Sequence, residues 1–144
     1  MYRAPVREIA FALREVAGMS RAIGDGSLGD LSEDIVDAVL EEAGRFASEE
    51  LAPLNVVGDR VGSVLRDGVV TTPPGFREAY RNWCEGGWNA IAAPEEFGGQ
   101  GLPQMMAVAA AEMWNSAAMG FGLCPLLTIG AVEAVHKHGS RELQ

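Results

Sequence analysis

The sequence predicts an all-α fold, a helical bundle with a short irregular or hairpin segment around residues 61–72. Apolar residues recur at three- and four-residue steps along most of the chain, which is the period of an amphipathic helix. Helix-capping residues stand at the ends of these periodic stretches. With 144 residues, 48% of them apolar, the chain can bury a hydrophobic core.

The N-terminal part predicts one short helix and a linker. Pro5 suits a first helical turn, Gly18 ends the periodic stretch, and the glycines and aspartates of 24–30 favour a surface linker. We therefore divide the chain into residues 1–30, an N-terminal helix and linker extension, and residues 31–144, the main helical domain. The predicted buried stripe of the first helix is Val6, Ile9, Leu13 and Val16.

The next helix has a clear beginning. Ser32 is the predicted N-cap, Leu31 can pack on Val36 as a hydrophobic staple, and Pro53 indicates a kink or an end. Its predicted apolar face is Ile35, Val39, Ala43, Phe46 and Leu51. An Asp67-Gly68 turn then predicts a small hairpin or an ordered loop. Thr72 and Pro73 are predicted to be the N-cap and first residue of another helix, which is predicted to end at Gly86-Gly87.

The C-terminal half predicts a buried central helix over 104–118, because this stretch is apolar nearly all round. Pro125 is predicted to begin the last complete helix, and residues 117–128 to form a joint that can leave an apolar groove. His136, Lys137 and His138 suit the final turn of that helix. Ser140 caps one further turn, so we expect the domain to be truncated at its C-terminal end.

Composition excludes several classes of partner. A formal net charge of -9 repels phosphate backbones and anionic lipid, so neither nucleic acid nor a membrane surface is expected. The uncharged stretch 113–132 has the length of a membrane span, but polar residues, glycines and Pro125 interrupt it, and we predict no span. Cys84 and Cys124 are predicted to be free thiols.

The residue types and their spacing predict no catalytic residue and no metal site. The glycines of 98–101 favour a tight turn over a phosphate cradle, since neither strand nor Lys-Ser/Thr accompanies them. His136 and His138 point to different faces of a helix. Glu112 and Glu133 could be perturbed bases, but structural carboxylates with partners are the favoured interpretation.

The segment Pro94-Glu95-Glu96-Phe97-Gly98-Gly99-Gln100-Gly101-Leu102-Pro103 resembles the acyl-CoA dehydrogenase family. In that family Pro-Glu-(Glu/Ala)-(Phe/Tyr)-Gly-Gly-x-Gly joins two helices of the N-terminal domain. The resemblance extends over 41–55, 112–127, and, for the larger bacterial members, over 2–7 and 68–76. It therefore covers nearly the whole chain.

The resemblance implies the N-terminal helical domain of an FAD-dependent oxidoreductase that converts acyl-CoA to trans-2-enoyl-CoA. Electron-transfer flavoprotein, a cytoplasmic location and a homo-oligomer are implied as well. The flavin contacts and the catalytic base belong to the family's middle and C-terminal domains, so this chain alone is expected to be inactive and without FAD. The residues implied in walling the acyl pocket are Met119, Phe121, Cys124, Pro125 and Leu126. The alternative is a free-standing helical interaction module without catalytic activity.

Overall fold

The computed structural model describes residues 2–144, and these form the predicted helical bundle with one small hairpin. The elements, in chain order, are α1 (Val6–Phe11), a π-helical turn (Ala12–Val16), α2 (Met19–Gly24), α3 (Glu33–Phe46), a second π-helical turn (Ala47–Leu51), α4 (Ala52–Val61), β1 (Val64–Arg66), β2 (Val69–Thr71), α5 (Phe76–Glu85), 3₁₀ turns at Trp88–Ala90 and Glu95–Phe97, and α6 (Gln104–His138). The predicted all-α class and the hairpin are both confirmed.

Helix α6 lies across a nearly continuous rod made of α3, the second π-helical turn and α4. Four residues of α6 are at or near zero exposure in this contact, and they are Met106, Ala109, Ala110 and Met113. The predicted central position of this helix is confirmed. Small alanines allow the two helical bodies to approach closely.

Helix α3 begins as predicted and buries most of the predicted face, including Ala43 and Phe46, but not Ile35. The Ser32 hydroxyl accepts a hydrogen bond from the backbone N–H of Ile35 at 3.3 Å. Ile35 itself is 42% exposed, which contradicts its predicted place in the core. The buried face is Val36, Leu40, Ala43, Phe46 and Ala47. Neighbouring stripes both satisfy helical periodicity here, and the position of α6 selects between them.

The N-terminal segment packs into the same core as the rest of the chain. Ile9, Leu13 and Met19 are buried, whereas Val16, predicted to belong to their stripe, is 78% exposed. The π-helical turn over Ala12–Val16 explains this exposure, since its wider winding turns Val16 away from the earlier stripe. Residues 19–24, of which 24 was assigned to the linker, form helix α2 before the turns of 25–30.

Two predicted helix starts at proline are wrong. Helix α5 begins at Phe76 after Gly75, which has a left-handed backbone (φ 86°), and not at Thr72-Pro73. Pro74 disfavours helical backbone at Pro73, so Pro73 cannot be a first helical residue. Pro125 lies inside α6, whose only non-helical residue is Ala118 (φ -155°, ψ 84°).

Ala118 therefore divides α6 into a first half, 104–117, and a second half, 119–138. The predicted joint over 117–128 is in fact a single residue. Asn115 stabilises it: its amide donates to the Ala111 carbonyl at 2.8 Å, and its Oδ1 occupies the space that a Cβ on Gly122 would need. Residues 141–143 form the expected turn after Gly139.

Among the residues that the structure describes, α6 is also long and apolar enough to cross a membrane, judged by length and composition. A core helix of a folded domain meets the same criteria, and the first half of α6 is packed in this way. That no membrane span exists stays a prediction.

Candidate functional site

Three cavities border the second half of α6, and the third, of about 480 Å³, lies along 125–136 beside Tyr80 and Phe97. The first, which we call the hairpin cavity, has a volume of about 650 Å³ and lies between this helix, α4, α5 and the β-hairpin. Its floor is aromatic, made by Phe76, Tyr80 and Phe121, and the ring centroids of Tyr80 and Phe121 are 6.4 Å apart. Charged residues, among them Asp59 and Arg77, also line this cavity.

The second, which we call the tryptophan cavity, has a volume of about 310 Å³. Trp83 and Trp114 form one wall, with ring centroids 5.7 Å apart in an edge-to-face arrangement. Trp88 contacts the other side of Trp114, at 5.4 Å between centroids. The indole N–H groups of Trp83 and Trp114 are buried without a hydrogen-bond acceptor, and contact with neighbouring rings is the interaction open to them.

The tryptophan cavity has a mainly apolar lining, with its charged residues in the last turns of α6. Glu133 and Lys137 are these residues, and His136 lies beside them. The Lys137 ammonium and the Glu133 carboxylate are 2.5 Å apart, and this pairing holds the pKa of Glu133 below its usual value. Glu133 is therefore a surface carboxylate paired within its own helix, and not one held by a neighbouring element.

Glu112 is exposed on the first half of α6, and its charge reaches the Tyr2 side chain near the N-terminus of the chain. Burial raises the pKa of the Tyr2 hydroxyl, and the charge of Glu112 adds to this shift. The geometry thus gives Glu112 an electrostatic neighbour in Tyr2.

The glycine-rich loop is a structural turn and offers no phosphate cradle. Its four backbone N–H groups, at 98–101, all donate to carbonyls of the same chain, over distances of 2.9 to 3.0 Å. Gly99 is required there, because a Cβ would lie 2.0 Å from the Ala93 carbonyl oxygen. A flavin phosphate would find no free N–H donor in this loop.

No cluster of three or more potential metal ligands occurs within residues 2–144. His136 and His138 lie in the last turn of α6, where they were predicted. His136 contacts the ring of Phe97 edge-on at 6.0 Å.

The five predicted acyl-pocket residues do not share one wall. Phe121 and Cys124 line the hairpin cavity, whereas Pro125 and Leu126 line the tryptophan cavity. Met119 is 59% exposed and lines neither of these two cavities. The helix between the cavities separates the residues because successive side chains point to different sides of it.

Sequence reasoning missed the tryptophan wall and the Asn115–Gly122 contact. The chain has three tryptophans, and all of them meet around this region. A cluster of large aromatic residues beside small ones is a signal for a cavity, but the spacing alone did not show which rings would meet.

The fold and its cavities define a class: an all-α domain in which a broken central helix separates two apolar cavities. The family model "Acyl-CoA dehydrogenase, N-terminal domain" matches residues 34–144. The chain therefore belongs to the acyl-CoA dehydrogenase family and corresponds to its N-terminal domain.

Two curated relatives support this assignment. The 3-methylmercaptopropionyl-CoA dehydrogenase of Ruegeria pomeroyi is 42% identical over 139 residues, which cover 96% of this chain and 24% of the relative. The broad-specificity linear acyl-CoA dehydrogenase FadE5 of Mycobacterium tuberculosis is 32% identical over 105 residues, which cover 72% of this chain and 17% of the relative. The matched region thus spans a quarter or less of either relative.

Proposed function

We propose that this chain is the N-terminal helical domain of a longer, FAD-dependent acyl-CoA dehydrogenase, in which it forms one wall of the acyl pocket. The observation that carries the proposal is the tryptophan cavity, a mainly apolar space with a few charged residues, in a domain of this family. Ligand cavities usually combine an apolar lining with a few polar groups in this way.

The proposal assigns different roles to the five residues. Pro125 and Leu126 contact the acyl chain in the tryptophan cavity, whereas Phe121 and Cys124 support the same helix from the hairpin cavity. Met119 faces outward and contacts whatever covers the helix in the longer protein. The Ruegeria relative is named for a short acyl-CoA, and we propose a substrate of the same class here.

Dehydrogenation itself is assigned to parts of the longer protein that this chain does not contain. FAD supplies the oxidising chemistry when bound, and we propose that it binds outside this domain, since the glycine-rich loop has no free N–H groups for it. The family resemblance further suggests a cytoplasmic homo-oligomer that passes electrons to electron-transfer flavoprotein. Residues 1–30 form an extension packed onto the domain of 31–144.

The test uses the longer protein that carries this domain, with Leu126→Trp to fill the tryptophan cavity and Leu127→Trp as the control. Leu127 is 80% exposed and lines neither of the two cavities. We expect Leu126→Trp to lower kcat/KM for longer acyl-CoA substrates at least tenfold, an effect of about 1.4 kcal/mol, and to spare the shortest ones. Equal losses at all chain lengths in both variants would contradict an acyl-binding role for this cavity.

The alternative, a free-standing interaction module, has one observation in its favour. The second half of α6 exposes an apolar face that includes Leu123, Leu126 and Leu127. Exposed apolar patches of this kind mark interaction sites. The coding sequence distinguishes the two functions, because a stop codon after Gln144 supports the module and a continued reading frame supports the enzyme domain.

A further inference from the structure

The tryptophan cavity is lined by both halves of α6. Before the break at Ala118, residues four apart line the cavity, and the last of them is Asn115. After the break, Gly122 is the first residue that lines the cavity, and Leu126 follows it at the same spacing. Residues four apart lie on one face of a helix, so each half presents one face to the cavity. The two faces converge on the break.

Asn115 and Gly122 lie against each other across the break. A Cβ on Gly122 would lie 2.3 Å from the Oδ1 atom of Asn115 and 2.9 Å from its Cγ atom. The Asn115 amide donates to the Ala111 carbonyl at 2.8 Å, one turn earlier in the first half of α6. Asn115 is half-buried and Gly122 is buried. The asparagine side chain is thus held in place against the second half of the helix.

We propose that Asn115 is a positioning residue that sets the distance between the two halves of α6, and thereby the width of the tryptophan cavity. Its side chain is a spacer at the point where the two lining faces converge. Because protein interiors are close-packed, a change in size at this contact displaces the two helical bodies that meet there.

The width of the cavity determines which acyl groups it accepts, since a pocket discriminates between substrates by the methylene groups that it can hold. Asn115 is therefore a determinant of acyl-chain specificity. This inference rests on the proposed function, in which the acyl chain enters the tryptophan cavity.

The test is a double-mutant cycle at 115 and 122 in the longer protein that carries this domain. Gly122→Ala adds a methyl group that meets the Asn115 side chain and forces the two halves apart. We expect it to raise the ratio of kcat/KM for longer over shorter acyl-CoA substrates about fivefold. In Asn115→Ala protein the same methyl group finds room, so Gly122→Ala should change the ratio by less than about twofold.

Asn82→Ala is the matched control. Asn82 is also a half-buried asparagine whose amide donates one hydrogen bond, to Glu50 at 2.9 Å, but it lines none of the three cavities. Its loss is expected to lower stability and to leave the ratio unchanged, because a purely structural loss affects all substrates alike. The ratio of kcat/KM values is therefore the readout.

An equal effect of Gly122→Ala in both backgrounds would overturn the inference, because the methyl group would then act without Asn115. A shift toward shorter substrates would overturn it as well, since the methyl group would then fill the cavity and not widen it. Leu126→Trp separates this inference from the proposed function. If Leu126→Trp changes the chain-length preference and the cycle shows no coupling, only the role of Asn115 fails. If Leu126→Trp has no effect either, the acyl-binding role of the cavity fails with it.

Discussion

Val6 lies directly against Gly44, so that a Cβ on Gly44 would come within 2.5 Å of the Cγ2 atom of Val6. Nearby, the backbone N–H of Ala4 donates to the Ser48 hydroxyl at 3.0 Å, and that hydroxyl donates to the Gly44 carbonyl at 2.7 Å. The N-terminal segment is thereby fixed to α3 by a contact that only a glycine permits.

Gly44→Ala is expected to lower the free energy of unfolding by about 1–3 kcal/mol, because the added methyl group displaces Val6 and Ala4. Gly130→Ala is the matched control, since Gly130 is also helical and no atom lies within 4 Å of the position that its Cβ would occupy. The control should gain about 0.5–1 kcal/mol from helix propensity. Urea denaturation of both variants measures the difference, and a stabilised Gly44→Ala protein would show that Val6 does not pack there.

Arg14 joins the N-terminal segment to α3 through Glu33 and Asp37, each at 2.7 Å. A hydrogen bond from Ser20 and the contact with Arg14 lower the pKa of Glu33. Because the folded-state pKa is below the unfolded one, this contribution to stability is present above about pH 4.3 and is lost as the pH falls through the folded-state value.

We therefore expect thermal stability to decrease between about pH 5 and pH 3, and Glu33→Gln to reduce that slope. Tm measured across this range in low salt is the readout. Glu78→Gln serves as the control, since Glu78 is an exposed partner of Arg81 at 3.4 Å within α5. Identical slopes for the two variants would contradict a role for Glu33 in the acid sensitivity.

Trp83 is 1% exposed and contacts Tyr80, Trp114 and Phe121. Trp83→Ala is expected to lower the free energy of unfolding by about 3–5 kcal/mol, a large part of the stability of an ordinary domain, whereas Trp83→Phe should cost less. Phe97→Ala removes a ring that is 47% exposed and should have a smaller effect. Denaturation followed by circular dichroism compares the three, and equal costs for Trp83→Ala and Phe97→Ala would be inconsistent with a central role of Trp83.

The exposed face on the second half of α6 is expected to make the isolated chain self-associate. Leu127→Lys should shift the sedimentation profile toward monomer, because a charge on this face is costly to bury. Val16→Lys provides the control at a position that is 78% exposed on the N-terminal segment. A wild-type chain that stays monomeric at high concentration would contradict the prediction.

The isolated chain is also expected to be colourless after purification and inactive toward acyl-CoA. The backbone N–H groups at 98–101 are all bonded within the chain, and Glu112 is an exposed carboxylate that lines none of the three cavities. Absorbance spectroscopy and an acyl-CoA-dependent dye reduction assay check both statements. Flavin bands near one equivalent per chain would contradict the first.

The sequence predicted helices well where a local signal fixes their ends. Ser32 and Gly86 act over one turn, so their effects can be read without knowing the rest of the fold. The helix starts predicted at Pro73 and Pro125 were wrong. Helix starts at proline depend on the backbone of the neighbouring residues, and Pro74 in one case and Ala118 in the other decided where the helix began.

The candidate site was predicted less well than the fold. The stretch from Met119 to Leu126 was identified as a single pocket wall, but its side chains are divided between two cavities and solvent. The division depends on the rotation of the helix after the break at Ala118. Asn115 and Gly122 lie against each other across the break, so this close approach depends on the same rotation.

The sequence by itself determined the family, the all-α class and the turn at 98–101, because these depend on composition, periodicity and a local motif. Only the tertiary structure decided which face of α3 is buried, how α6 divides, and which side chains line each cavity. Helical periodicity permits several neighbouring faces at similar local cost, and the choice among them is made by packing against distant segments of the chain.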